Sequence, residues 1–274
     1  MLPDLEIRVL FCYSPEVLEK TYYNKANLIQ DNDDLCCITE DIFKANITTY
    51  NVSITKVADT EIKTLQYQWG NTVAELSDIQ LQRLVMSTTS TGYIYSCFNR
   101  LQFGTLPQKL LELKEVWGAT VVVLEILLNN DCETADGIMG VSSLIGINNP
   151  EEAFVALGRQ RITKKQATSF ITPTILAHEF GHLMGCKHPK GDESLGCDNT
   201  DGNSHGHYLY DLYGNVVAGT IMSYYYDPIW YYSNPTLYMY PTEYQDKPCG
   251  KFGESEAYKT VNKNIQKLAG MFSQ

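Results

Sequence analysis

Long hydrophobic runs are missing from this 274-residue chain. The longest, Ala119 to Leu128, falls well short of the roughly 20 residues a membrane-spanning helix needs and carries Glu125 inside it, so no membrane span is expected. Basic residues are scarce: 21 Lys plus Arg stand against 32 Asp plus Glu, a net charge of −11 with no Lys/Arg-rich tract, which argues against nucleic acid or an anionic membrane as partner. Charged residues make up 19% of the chain against a usual value of about 25%. With hydrophobic residues at 44% and 19 tyrosines, that sparse charge still describes a folded chain rather than a disordered one. No Cys-x-x-Cys pair occurs, which removes zinc ribbons and thioredoxin-like redox sites. Repeats, low-complexity tracts and Pro/Gly/Ser linkers are also lacking, so residues 1–274 read as a single domain. The N-terminus has no positive n-region and no apolar h-region. Eight cysteines nevertheless suit an oxidising compartment, and a secreted, extracellular protein whose targeting segment has been removed reconciles the two signals.

What is present divides the chain into a regular and an irregular part. Leu5 to Tyr13 is rich in β-formers and ends at the Ser14-Pro15 turn signal. Asp33 to Tyr50 spaces Leu35, Ile38, Ile42, Phe43 and Ile47 as one helical face, and Val52, Ile54 and Val57 form a short strand. Leu106 to Trp117 reads as a helix stopped by Gly118, and Ala119 to Leu128 as a strand buried on both faces. This alternation favours a largely parallel sheet. Gly137 to Val141 is a weak strand, and Thr172 caps a helix with Pro173 at its first position and Gly185 after its end. The residues beyond are rich in Gly, Asn, Asp and Tyr and read as irregular, before a last helix from about Glu254 to Phe272.

The segment that carries chemistry is His178-Glu179-Phe180-Gly181-His182-Leu183-Met184-Gly185-Cys186-Lys187-His188, a HExxHxxGxxH pattern. At this chain's own composition, five such fixed residues arise by chance in on the order of one chain in a hundred thousand. Histidines four apart project from one helix face and can chelate one ion. His188 would lie about 15 Å along the axis from His178 if the helix continued, so the chain must turn, and Gly185 supplies the residue that tolerates positive φ at a helix C-terminus. Three neutral imidazoles leave one position of tetrahedral Zn²⁺ open, the catalytic arrangement. Glu179, about 100° around the helix, is placed to act as general base toward a zinc-activated water. The expected reaction is hydrolysis of peptide bonds in protein or peptide substrates. Two alternatives stay open: an inactive zinc-containing binding protein or decoy, and a gluzincin-type peptidase whose third ligand is a glutamate on a later helix.

With Thr220-Ile221-Met222-Ser223-Tyr224 following, the chain resembles the metzincin zinc endopeptidases. The overall order is most similar to bacterial reprolysin-like peptidases, while Pro189 after the third histidine and Met-Ser-Tyr are serralysin-like. The resemblance implies a zincin-like α+β fold: a mixed, mostly parallel twisted sheet with an antiparallel edge strand, an active-site helix, and an irregular C-terminal subdomain ending in a helix. The subdomains would meet near residue 185. It also implies that Met222 forms an apolar floor beneath the histidines, that Tyr224 is a switchable zinc ligand or oxyanion stabiliser, and that Gly137, Ile138, Met139 and Gly140 line the cleft where an extended substrate adds to the sheet edge. Monomeric action is expected. Loose analogy with reprolysins pairs Cys132 with Cys249 and Cys186 with Cys197. His205 and His207 read as surface histidines, and Asn46-Ile47-Thr48 and Asn51-Val52-Ser53 as glycosylation sequons.

Overall fold

The computed structural model describes residues 2–13, 15–19, 24–62, 64–69, 72–77, 108–128, 140–142, 148, 153–160, 173–190, 202–211, 213–223, 228–238 and 247–270. Strand β1 (Asp4–Tyr13) has a neighbour on each side in the sheet and buries Val9 to Tyr13 without a break, so both of its faces are covered there. One neighbour is β2 (Asn51–Glu61), parallel to it with Leu5 opposite Val52 and Ile7 opposite Ile54. Two short strands, β3 (Thr64–Trp69) and β4 (Thr72–Ser77), form a separate antiparallel hairpin. The other neighbour of β1 is β5 (Val121–Leu128), also parallel. Beyond β5 the sheet ends in an antiparallel pair, the short β6 (Gly140–Ser142) at the edge against β7 (Phe154–Gln160). The order is β2-β1-β5-β7-β6, parallel except at β6. This is the mixed, mostly parallel sheet with an antiparallel edge that the sequence led us to expect.

Helix α1 (Lys25–Asn46) crosses between β1 and β2. Asn24 caps it, its side-chain oxygen accepting from the Asn27 N–H at 2.9 Å. The helix begins at Lys25 rather than Asp33 because its polar first half also turns a face inward: Asn32 is fully buried, its amide donating to Asp59 at 2.8 Å. Helix α2 (Gln108–Trp117) leads through Gly118, at φ 57°, into β5. Helix α3 (Ile175–Leu183) is apolar nearly all round and buried nearly all round, as expected of a helix inside the core. Its cap is Thr174, with Pro173 before it; the expected cap at Thr172 lies outside the described residues.

After α3 come two small hairpins, β8 (Tyr208–Tyr210) with β9 (Val216–Gly219) and β10 (Asn234–Tyr238) with β11 (Pro248–Cys249), then helix α4 (Ala257–Ala269). Ala257, Val261, Ile265 and Leu268 make its buried stripe. One apolar cluster joins both halves of the chain, from Ile7 and Phe43 through Phe180 and Tyr232 to Leu268. Phe43 lies with its ring 6.1 Å from Phe180 and 6.3 Å from Tyr232, while the Tyr232 hydroxyl donates to the Ala177 carbonyl at 2.6 Å. Helix α3 is thus clamped between α1 and the chain that returns from β9. No described helix is long and apolar enough to cross a membrane.

Candidate metal centre

Helix α3 places His178 and His182 on one face, and its end brings the third histidine to them. The Gly185 N–H donates to the His182 carbonyl and the Cys186 N–H to the Gly181 carbonyl, both at 2.8 Å, with Gly185 at φ 97°. This is a Schellman motif, in which glycine takes the left-handed position without a Cβ penalty. The reversal sets the His188 Nε2 3.2 Å from that of His178 and 2.9 Å from that of His182.

Two of the rings have their tautomers dictated by carbonyls, which can only accept. His178 Nδ1 donates to the Ile221 carbonyl at 2.7 Å, and His182 Nδ1 donates to the Cys186 carbonyl at 2.8 Å. Both Nε2 atoms therefore present lone pairs to the common centre. Burial holds all three rings neutral, lowering His178 to about 4 and His182 to about 3, and His188 well below its ordinary value. Lone pairs facing one another at such separations repel unless a cation lies between them, and ligands of a tetrahedral zinc at 2.0–2.1 Å stand about 3.3 Å apart. The donor set, whose ligand atoms all lie within 4.8 Å, fits such a metal.

Glu179 lies beside this centre and is 2% exposed. The Ser142 hydroxyl sits 2.8 Å from its Oε2 and 2.9 Å from its carbonyl oxygen, sharing one hydrogen between them. In the metal-free protein burial raises the carboxyl to about 8, against the opposite pull of Ser142. Gly140 makes room for it: a Cβ there would stand 2.6 Å from Glu179 Oε1. Met222, fully buried, lies under the helix, and a Cβ on Gly181 would meet its Sδ at 2.3 Å. The turn carrying it is closed by the Ser223 N–H and hydroxyl, both directed at the Thr220 carbonyl at 2.8 and 2.7 Å.

A family model described as metallo-peptidase family M12 matches residues 41–236, a stretch that holds every one of these side chains. The chain belongs to this family. No curated protein matches the sequence. Among solved structures, one described as a chaperone-substrate complex is similar with a TM-score of 0.61 and 16% identity, over 99% of this chain and 36% of that one. The M12 chain thus spans about a third of that protein's length, and the likeness concerns fold alone. Metalloproteinase-II from Bacteroides fragilis is similar with a TM-score of 0.31 and 14% identity, over 70% of this chain and 45% of that chain. Mature mirolysin of Tannerella forsythia, in complex with a cleaved peptide, is similar with a TM-score of 0.38 and 10% identity, over 99% and 96%.

Several expected features of the M12 chain fall elsewhere. Tyr224, Gly137, Ile138 and Met139 lie outside the described residues, as do Cys132 and Cys197. The expected bridges are not formed: Cys186 and Cys249 are free and buried, Cys186 facing the Ala257 carbonyl at the start of α4 at 3.7 Å. His205 is not a surface residue but 2% exposed. The first sequon is unusable in the folded protein, since Asn46 is buried and its side chain bonds the Ile42 and Trp230 carbonyls and the Tyr232 N–H. Asn51 is exposed at the start of β2. Sequence reasoning missed Ser142, Gly140's accommodation of Glu179 and the Gly181–Met222 contact, because none of them has a spacing signature. It also missed β7.

Proposed function

We propose that this M12 metallopeptidase is a zinc-dependent endopeptidase in which His178, His182 and His188 hold the metal and Glu179 is the general base. The observation that carries the reading is the convergence of three neutral imidazoles, those of His178 and His188 buried and that of His182 half-buried, two of them oriented by main-chain carbonyls, beside a buried carboxyl group. When bound, zinc would lower the pKa of a water toward about 7 and polarise the scissile carbonyl. Glu179 takes the proton from the attacking water and delivers it to the departing amide nitrogen. Ser142 and the absence of a side chain at Gly140 hold that carboxyl in one orientation. Met222 supports the histidine helix from below without supplying a ligand. The histidine cluster, complete without a carboxylate, favours this arrangement over the gluzincin type.

Strand β6 ends the sheet, with β7 on one side only among the described strands, so an extended peptide could add along its other edge and lie across Glu179. Substrates are accordingly unfolded or loop segments of proteins. Incubation of the purified chain with denatured casein tests the proposal. Cleavage should stop with 1,10-phenanthroline and return when zinc is restored; a decoy would give no chelator-sensitive products at all.

A further inference from the structure

His205 reads from sequence as a bystander, yet it is buried and reaches the third histidine through the main chain. Its Nδ1 lies 2.8 Å from the His188 carbonyl oxygen. A carbonyl only accepts, so Nδ1 carries the hydrogen. Its Nε2 is then a bare acceptor, and it is buried with no hydrogen-bond partner among the described residues. A side chain present for bulk alone would not bring that unmatched atom into the interior, so what the ring contributes is the donor at Nδ1.

The neighbours of His205 show what this donor connects. The Lys187 N–H donates to the Ser204 carbonyl at 2.9 Å and the Gly206 N–H to the Lys187 carbonyl at 2.8 Å, so residues 204–206 run as a one-bridge parallel partner of the metal loop. On its other side the segment lies against the methionine turn: a Cβ on Gly206 would stand 2.7 Å from the Met222 carbonyl oxygen. The next residue, His207, receives there as well as gives, its N–H donating to Thr220 Oγ1 at 2.9 Å and its carbonyl accepting from the Thr220 N–H at the same distance. Behind the strap, the Ser233 hydroxyl donates to the His205 carbonyl and in turn accepts from the Ala257 N–H at the head of α4.

We propose that His205 is a positioning residue for the metal centre, its ring N–H fixing the main chain of His188 while the strap around it registers that ligand against Met222. The inference rests on the zinc reading above and extends it. His178 and His182 belong to a rigid helix, whereas His188 stands past the Schellman turn, where main-chain position decides whether its ring meets the other two.

The test is zinc affinity of the full chain, measured by competition with a chromophoric chelator, together with the visible absorption of the cobalt-substituted protein. His205→Leu, which keeps bulk and removes the donor, should raise the zinc Kd about tenfold or more, the range found when partners that orient metal ligands are lost, and change the cobalt spectrum. His205→Asn places an amide N–H where Nδ1 stands and should stay within about threefold of the parent with an unchanged spectrum. Zinc binding and cobalt absorption unaltered in His205→Leu would overturn the inference, as would equal losses in the two variants. Should His205→Leu not fold, His205→Asn decides: near-parental affinity supports the role of the donor, and a tenfold loss in a folded protein refutes it. A parent chain that takes up no zinc would overturn the metal reading itself, and this inference with it.

Discussion

From β1 to α3 the buried positions are mostly aliphatic or aromatic, whereas from Lys187 to Glu256 much of what fixes the chain is hydrogen bonding between short polar side chains and main-chain groups. In the first region Val121, Val122 and Val123 are each fully buried in a strand with neighbours on both sides. In the second, Thr220, Ser223 and Ser233 bridge turns, and Asp211 accepts from the Tyr213 and Asn215 N–H groups at 2.8 and 2.9 Å to close the β8–β9 loop. The proposed metal centre takes His178, Glu179 and His182 from the first region and His188 and Met222 from the second. Three of its parts are rigid by packing, and the others are positioned by directional bonds that fail one at a time.

The sharpest way to break this contrast is to remove volume from the packed side. Phe43→Ala opens the space between Phe180 and Tyr232 and should cost about 3–5 kcal/mol in urea unfolding; a loss under about 1 kcal/mol would mean that packing does not govern that region. Zinc should act mainly on the other side. At a thousandfold excess over its Kd it should stabilise by about 4 kcal/mol. Hydrogen exchange should then slow at residues 186–190 and 204–223 while β1, β5 and β7 change little. Asn46 stitches the two regions, and Asn46→Ala strands the Tyr232 N–H, for an expected cost of about 1–3 kcal/mol with faster exchange near residues 230–233. The smallest effect concerns Glu40 on α1. Burial would raise its carboxyl, but the Ile54 N–H and the Lys44 ammonium outweigh it and leave the group below its ordinary value. Its contribution is therefore present above about pH 4.5 and lost as pH falls through the lowered value. Glu40→Gln should lower Tm at pH 7, and the difference should shrink as pH falls below about 4.5.

Legibility followed the same division. The parallel strands β1 and β5 are apolar runs of the right length, and α4 has a clean four-residue stripe, so the sheet half and the last helix could be read directly. β7 escaped because Phe154, Val155, Ala156 and Leu157 form a short apolar run without alternation, which periodicity alone does not tell from a buried helix segment. The start of α1 escaped because Asn32 buys its burial from Asp59, a partner 27 residues away. At the centre, the histidines and Glu179 were legible since helix geometry and a turn glycine impose their spacing, whereas Met222 was expected only from the family resemblance. Ser142 and His205 were not, because each acts through a main-chain or side-chain contact made only when distant segments meet. The Asn-, Asp- and Gly-rich setting of His205 looks like solvent-exposed loop to any reading of composition.

The central claim is that one buried carboxyl group drives peptide hydrolysis at a metal it does not bind. Glu179→Gln, assayed for zinc content by mass spectrometry and for casein cleavage, tests it most directly. The account predicts one zinc per chain as in the parent and turnover reduced by about a hundredfold to ten-thousandfold, the range for loss of a general base. Turnover close to the parent's in a zinc-loaded Glu179→Gln protein would contradict it.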